Sequence, residues 1–555
     1  MNSYDVIIIG AGHNGLVCGA YLLKAGYKVL WLEKRPVPGG AATTEEAIPE
    51  AKGFKFNLCA IDHEFIFHSP VIAELELHKY GLEYLWCDPH TFCPQPDGKY
   101  FLAYRSLQKT CQNIARYSER DAAKYAEFIR YWCQLLNAVA PLFNAPPQAI
   151  FQIAKNYKKK NILDALAIAG SVTKALDFVR TMVTSPTDLL NEYFDTEIVK
   201  APLARLAAEI SAPPSQKGIT AGLMMLAMRH QPGMARPRGG TGALTQALVK
   251  LVQAGGGRIL TEQNVKEILV EDGKAVGVKV ANGQEYRANQ AVISNIDVQR
   301  VFLQLLTDDT LKAIDLQLQD KIARRIVNSN ESILKIDCAL SEIPKFTASH
   351  QQAEYLMGTV LIADSMRHVE QAHALPLLGE IPDSNPSMYL DIPSVLDPSL
   401  APAGKHTLWI EFFAPYQIAG EEGKGVKGTG WTDAVKNKVA DRVLDKLTTY
   451  APNLKNSIIA RRVESPAELG ERLGSYQGNY YHIDMTLDQM IFLRPLPEIA
   501  NYTTPIKQLY LTGAGTHPGG SISGMPGRNC AQVFLRQNQP LFVQAQAALS
   551  SLFNF

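Results

Sequence analysis

The sequence is short of the features that place a chain at a glance. Its eight cysteines, Cys18, Cys59, Cys87, Cys93, Cys111, Cys133, Cys338 and Cys530, never fall in a CxxC spacing. That removes zinc-ribbon and redox-dithiol readings, leaves no metal site to propose, and fits free thiols in a reducing compartment. Charge of one sign is lacking too. The 55 Lys and Arg against 54 Asp and Glu leave a formal +1 with no acidic or basic tail, so nothing argues for nucleic acid. No window offers the roughly 20 uninterrupted apolar residues of a spanning helix. The nearest approach, Leu135 to Ala154, contains Pro141, Pro146 and Pro147 together with Asn137, Asn144 and Gln148. Internal repeats, low-complexity linkers, a Ser-His-Asp set and a paired-carboxylate arrangement are not legible either. A strand pattern starts at Tyr4, which leaves no room for a signal or transit peptide, and the expectation is a protein that stays where it is made.

What is present is length and a sharply patterned beginning. At 555 residues the chain exceeds what one core sustains, and roughly two or three domains are expected. Tyr4 to Gly40 runs strand, glycine turn, helix, strand. The β-branched run Val6 to Ile9 leads into Gly10, Gly12 and Gly15, a helix pattern through Leu16, Ala20 and Leu23 follows, and Lys28 to Leu32 ends in Glu33, eighteen residues past Gly15. Gly10 allows the tight turn, Gly12 lets a pyrophosphate approach the backbone, and Gly15 lets helix and strand pack closely, while the helix start offers free N–H groups. A carboxylate at Glu33 is placed for an adenosine ribose. Lys34 follows it as a flanking charge, and Gly39-Gly40-Ala41 can return a loop to the nucleotide. By itself the stretch allows NAD or FAD.

Helical patterns fill much of the next region, at Ser69 to Tyr80, Glu119 to Asn137, Asn161 to Thr184 and Asp188 to Glu209. The third is amphipathic, with Ile162, Leu166, Ala169, Leu176 and Val179 along one side and Lys158, Lys159 and Lys160 before it. That arrangement suits either a core helix behind a solvated charge run or a membrane-surface contact. The apolar Ile219 to Met228 suits a buried helix or an interfacial segment. After Arg236-Pro-Arg-Gly-Gly the pattern changes to a helix, Ala243 to Ala254, and a meander at Arg258 to Leu260, Val265 to Glu271, Ala275 to Ala281 and Gln284 to Arg287. Asp272-Gly273 and Asn282-Gly283 mark its hairpins. Beyond it lie strand patterns at Ser332 to Cys338 and His406 to Phe412 and a helix pattern from Thr432 to Tyr450. Near the end a second strand runs into Gly513-Ala-Gly515-Thr-His517-Pro-Gly-Gly, and a helix starts near Gly527. Asp62-His63 and His68 read as structural more readily than as an acid–base cluster.

With these residues in view, the chain resembles the flavoprotein superfamily of amine oxidases and the phytoene-desaturase-like carotenoid desaturases, isomerases and ketolases. The run His517 to Asn529, preceded by Asp484-Met-Thr-Leu-Asp-Gln-Met and Phe492-Leu-Arg-Pro, looks most like the flavin-dependent β-carotene ketolases. The resemblance implies an α/β fold with a Rossmann-type, glutathione-reductase-like FAD domain assembled from residues 1–68, 236–300 and 467–555. It further implies a helical region for substrate and membrane contact at 69–235 and an α+β substrate domain at 301–466. Gly10, Gly12, Gly15, Glu33 and Lys34 would meet the adenosine and pyrophosphate, with Gly39, Gly40 and Ala41 on the flavin side. Val265 would meet the adenine through its backbone, and Gly513, Gly515, Gly524, Met525 and Pro526 would line the flavin, with His517 as the catalytic candidate. The implied activity is ketolation of β-carotene to echinenone and canthaxanthin, with a carotenoid substrate, a peripheral contact on the cytoplasmic face of a membrane, and a quinone or oxygen as electron acceptor. The nearest alternatives are a carotenoid desaturase or isomerase. Beyond them stand a soluble FAD amine oxidase and a non-catalytic flavin-binding protein.

Overall fold

The computed structural model describes residues 3–149, 172–307, 310, 316–350 and 352–538. Two seven-stranded sheets organise the chain. In the first, the strand Tyr4–Ile9 lies between Val29–Leu32 and Glu285–Ser294, parallel to both, with Val6 opposite Val29 and Ile9 opposite Ser294. Arg258–Leu260 extends the sheet beyond Val29–Leu32, and Leu509–Leu511 adds to Glu285–Ser294, again in parallel. Strands buried on both faces read as continuous apolar runs, which is the pattern of Val6 to Ile9. Glu285–Ser294 is long enough to serve two roles. Its first half closes an antiparallel meander with Lys274–Val280 and Val265–Glu271, and its second half joins the parallel layer.

The second sheet runs Ile458–Glu464, Glu331–Leu340, His406–Pro415, Met388–Asp391, Thr359–Ile362, Thr91–Pro94, Tyr100–Ala103. Every pairing is antiparallel except that of Thr359–Ile362 with Thr91–Pro94. Register places Glu411 opposite both Lys335 and Tyr389, and Trp409 opposite Asp337 and Asp391. Side chains alternate along a strand, so these residues project from one face. That face is polar although all ten residues of Glu331–Leu340 are buried.

Helices depart from the sequence pattern in instructive ways. Asp188 to Glu209 is two helices, Pro186–Tyr193 and Glu197–Ala207, because buried Asp121 accepts the N–H groups of Asp195 (3.0 Å) and Thr196 (2.9 Å) and stabilises a break between them. Ser69 to Tyr80 likewise splits into Val71–Glu74 and Leu77–Tyr80 at Glu76, whose φ is 51°. The helix Glu119–Phe143 runs six residues beyond Asn137. Of Asn161 to Thr184, residues 172–184 are described and Val172–Val183 is helix, while Lys158 to Lys160, Ile162, Leu166 and Ala169 fall outside the described residues. Leu176, Val179 and Val183 are exposed there. Ile219 to Met228 is not interfacial: Ile219, Leu223, Leu226, Ala227 and Met228 are almost fully buried, because the short helix Met224–Met228 packs against Glu119–Phe143. Among the described residues no helix is long and apolar enough to cross a membrane.

Candidate functional site

The strand Tyr4–Ile9 delivers Gly10, with φ of 88°, to the start of the helix His13–Lys24. Gly12 caps that helix with no side-chain acceptor, and no acidic residue stands in its first turn. Its N–H groups and positive dipole end therefore stay available to an anion. The second glycine turn comes back against the first: Gly39 N–H donates to the Ala11 carbonyl at 2.9 Å, and Gly39 bridges Gly12. A Cβ on Gly12 would stand 3.0 Å from Asn295 Nδ2, and one on Gly40 would stand 3.1 Å from the Gly12 Cα. Glu33, nearly buried, accepts the N–H of Ala11 on Oε2 (2.8 Å) and that of Arg35 on Oε1 (2.9 Å).

These residues border a cleft with about 990 Å³ of atom-free space, also lined by Lys34, Val265, Asn295, Arg300, Arg472 and Gly513. Burial, reinforced by Arg300, lowers the Lys34 ammonium to about 8. Five buried polar atoms of cleft residues lack any partner: His13 Nε2, Asn14 Oδ1, Arg35 Nη1, Arg472 Nη1 and His482 Nδ1. Buried polar atoms are rarely left unpaired, so their concentration here marks a polar ligand. A backbone cradle, a helix start, cationic side chains and a ribose-ready carboxylate together fit FAD, which when bound supplies a two-electron acceptor.

His13, Ala41, Tyr480 and Ala514 line both this cleft and a second cavity with about 1020 Å³ of atom-free space. Its wall holds four carboxylates, Asp62, Glu64, Glu209 and Glu411, with Tyr389, Tyr480 and Tyr481. Two are tied down. Asp62 accepts from Arg236 Nε (2.6 Å), Thr359 Oγ1 (2.7 Å) and the Tyr389 hydroxyl (2.5 Å), and although burial opposes ionisation, Arg236 and Arg229 hold it below the usual carboxylate range. Glu64 accepts from Arg229 Nε at 2.9 Å, yet burial pushes it up to about 7. Glu209 accepts from Arg205 Nη1 at 2.6 Å, and burial holds Glu411, on the same wall, well above the usual carboxylate range. Phe65, Ile210, Met225, Met485, Gly520 and Ser521 are common to this cavity and to a third, apolar space of about 570 Å³, which Met224, Met228, Met490 and Met525 also line.

The residues singled out in the sequence divide accordingly. Gly10, Gly12, Glu33, Lys34, Gly40, Ala41, Val265 and Gly513 line the cleft. Gly15 and Gly39 stand behind it, where a Cβ would come within 2.6 Å of the Gly10 carbonyl and 2.8 Å of Thr43 respectively. Gly515 packs against Val298, Gly524 against Val17 and Val71, and Met525, which reaches the apolar space, begins the helix Met525–Asn538 with Pro526 as its second residue. His517 lines none of the three spaces: its ring is buried, Nε2 donates to the Leu142 carbonyl at 3.0 Å, and burial lowers it to about 4. His63 is structural, bonded to Tyr84 and Thr241 at 2.9 Å each, while its neighbour Asp62 belongs to the cavity. Sequence reading passed over His13, Glu209, Glu411, Tyr480 and Tyr481. His13 sits inside the glycine motif and was the one within reach.

Comparison with known proteins agrees with this geometry. Residues 8–70 match the model of the NAD(P)-binding Rossmann-like domain. A cyclohexylamine oxidase from Brevibacterium oxydans has a similar fold, with a TM-score of 0.56 at 14% identity over 97% of this chain and 99% of that one. Fold and site thus define an FAD-dependent oxidoreductase. A phytoene desaturase (lycopene-forming) from Pantoea ananas is 26% identical over 94% of this chain and 96% of its own. The rat pyridine nucleotide-disulfide oxidoreductase domain-containing protein 2 is 32% identical over 96% of this chain and 93% of its own, and the chain belongs to that protein's family.

Proposed function

We propose that the chain oxidises a carotenoid, and specifically that it is a β-carotene 4-ketolase yielding echinenone and canthaxanthin. The observation that carries this reading is the succession of three neighbouring spaces that share wall residues: nucleotide cleft, carboxylate- and tyrosine-lined cavity, methionine-lined chamber. A long hydrocarbon fits the flexible thioethers of the last with its body, and its ring end reaches the cavity beside the flavin site. The Pantoea relative, named for desaturation of a polyene, supports that substrate class.

In ketolation an allylic ring carbon loses a hydride to a two-electron acceptor, the cation spreads along the polyene, and the oxygen of a water molecule bonds to that carbon as one of its O–H bonds breaks and the proton passes to solvent. A second two-electron oxidation turns the alcohol into the ketone, and the electrons pass on to a quinone or oxygen. Gly10, Gly12, Glu33, Gly39 to Ala41 and Gly513 would hold the cofactor. The polar wall would order water at the reacting end, and His517 would fix the turn His517 to Gly520 through Leu142. The substrate resides in a bilayer, and exposed Leu176, Val179 and Val183 supply a peripheral membrane contact. Conversion of β-carotene in oxygen-18-labelled water tests the scheme: label in the ketone, with carbonyl exchange controlled, is expected, and its absence overturns water addition.

A second reading, oxidation of an amine, draws on the four cavity carboxylates and the tilted ring pair Tyr480 and Tyr481, whose centroids are 4.3 Å apart. Hydrogen peroxide release from small amines would favour it.

A further inference from the structure

Arg494, in the run Phe492-Leu-Arg-Pro, is fully buried, and among the described residues its hydrogen-bond partners are all main-chain oxygens. Nε and Nη2 donate to the Ala514 carbonyl at 3.0 and 2.8 Å, Nη2 also to those of Tyr481 (2.9 Å) and Ile483 (3.1 Å), and Nη1 to those of Asp484 and Gln489 (3.1 Å each). A Cβ on Gly519 would stand 3.5 Å from Nε. The guanidinium thus lies under the turn from Gly513 to Gly519 and holds the segment Tyr481 to Gln489 against it.

A buried cation is unfavourable unless a negative charge compensates it. The two carboxyls that act on Arg494 are bonded elsewhere: Asp484 accepts from the Ser329 N–H (2.9 Å) and Asn479 Nδ2 (2.7 Å), and Asp297 from the N–H groups of Gln299 (2.8 Å) and Tyr476 (3.0 Å). Burial pushes both up to about 6. His482 and His517 also lie within reach of the charge, and burial lowers them to about 3 and about 4, which leaves them neutral. Arg494 itself, lowered by burial to about 9, stays charged at neutral pH. Ala514 gives this cation its significance, because it lines both the nucleotide cleft and the second cavity. Hydride can pass from substrate to cofactor only where those two spaces share a wall.

We propose that Arg494 is a positioning residue that, through Ala514, sets its charge against the negative charge that reduction places on bound FAD, and so makes the cofactor easier to reduce. The balance is that of hydride transfer: a substrate C–H bond breaks, its electron pair and hydrogen leave together to FAD, and the substrate carbon is left with one positive charge and the reduced cofactor with one negative charge. The inference rests on the cofactor and goes beyond the substrate reading, since a carotenoid and an amine both deliver the same two electrons.

The test is spectroelectrochemical titration of bound FAD at neutral pH, without substrate, in wild type, Arg494→Lys and Arg494→Met, each checked for bound flavin. Arg494→Met removes charge and bonds together, and the equilibrium constant for two-electron reduction should fall about tenfold or more, a drop in midpoint potential of about 30 mV. Arg494→Lys keeps the charge and loses bonds, so its constant should stay within about two-fold of wild type. Both variants should melt earlier than wild type, which reads the structural part of the role separately. Equal potentials in all three proteins, or an equal drop in both variants, would make Arg494 a staple of the turn and overturn the proposal. If Arg494→Met does not fold or hold FAD, the wild type decides: its chemically reduced flavin at pH 5.5, where free reduced FAD is mostly neutral, should keep the absorbance spectrum of the anion, and the spectrum of the neutral form overturns the proposal. A protein that passes these tests yet leaves β-carotene unchanged sinks the ketolation reading alone.

Discussion

Glu33 Oε2 accepts the backbone N–H of Ala11 at 2.8 Å, joining the end of the second strand to the glycine turn after the first. One carboxylate thus fixes the turn that would cradle the pyrophosphate and itself borders the cleft. Replacing it disturbs both at once.

Glu33→Ala should therefore weaken FAD binding about 10- to 100-fold, since hydrogen bonds to a charged group contribute roughly 1.5–3 kcal/mol and the N–H groups of Ala11 and Arg35 lose their partner. Flavin fluorescence titration measures this, and affinity within two-fold of wild type would contradict the assignment.

Gly15→Ala should act on the fold instead. The new methyl would lie 2.6 Å from the Gly10 carbonyl and 2.8 Å from Asn295 Nδ2, which forces helix and strand apart. Overpacking of this kind costs roughly 1–3 kcal/mol. Thermal melting of the apoprotein reads the loss separately from cofactor binding.

His13 makes the fold sensitive to acid. Burial lowers its imidazole to about 4 from the ordinary 6.5, so between these values the unfolded chain binds more protons than the folded one. Stability therefore falls as pH drops through that window, by roughly 3 kcal/mol at most from this group. His13→Asn should flatten the fall in melting temperature between pH 6.5 and 4, and an unchanged slope would show that His13 does not carry it.

Leu176 and Val179 are 63% and 47% exposed on the helix Val172–Val183. The double substitution L176E/V179E should reduce co-flotation with liposomes several-fold and leave the melting temperature of the soluble protein unchanged. Undiminished flotation would move the membrane contact elsewhere.

The sequence was most readable where chemistry is local. Arg258–Leu260 and Val265–Glu271 match their sequence patterns residue for residue, with Gly255 to Gly257 before the first and Asp272-Gly273 after the second. Asp272 and Gly273 both take positive φ as their hairpin requires, whereas at the second hairpin only Gly283 does, Asn282 instead accepting the Gln284 N–H at 2.9 Å on its side chain. The cleft could be foreseen for the same reason: Gly10, Gly12, Gly15 and Glu33 carry their roles in their spacing. Glu209 and Glu411 do not. Glu411 lies in a strand whose polar and apolar faces are both covered, and its sharing a cavity wall with Glu209 depends on a helix and a sheet built from distant segments. The parallel pairing of Thr91 with Thr359 likewise has no short-range signal.

Expression in a host that accumulates β-carotene, with chromatographic analysis of its pigments, tests the proposed function most directly. The prediction is echinenone and canthaxanthin, reduced to background by Glu33→Ala. Unchanged β-carotene, or products carrying only extra double bonds or altered geometry, would contradict it.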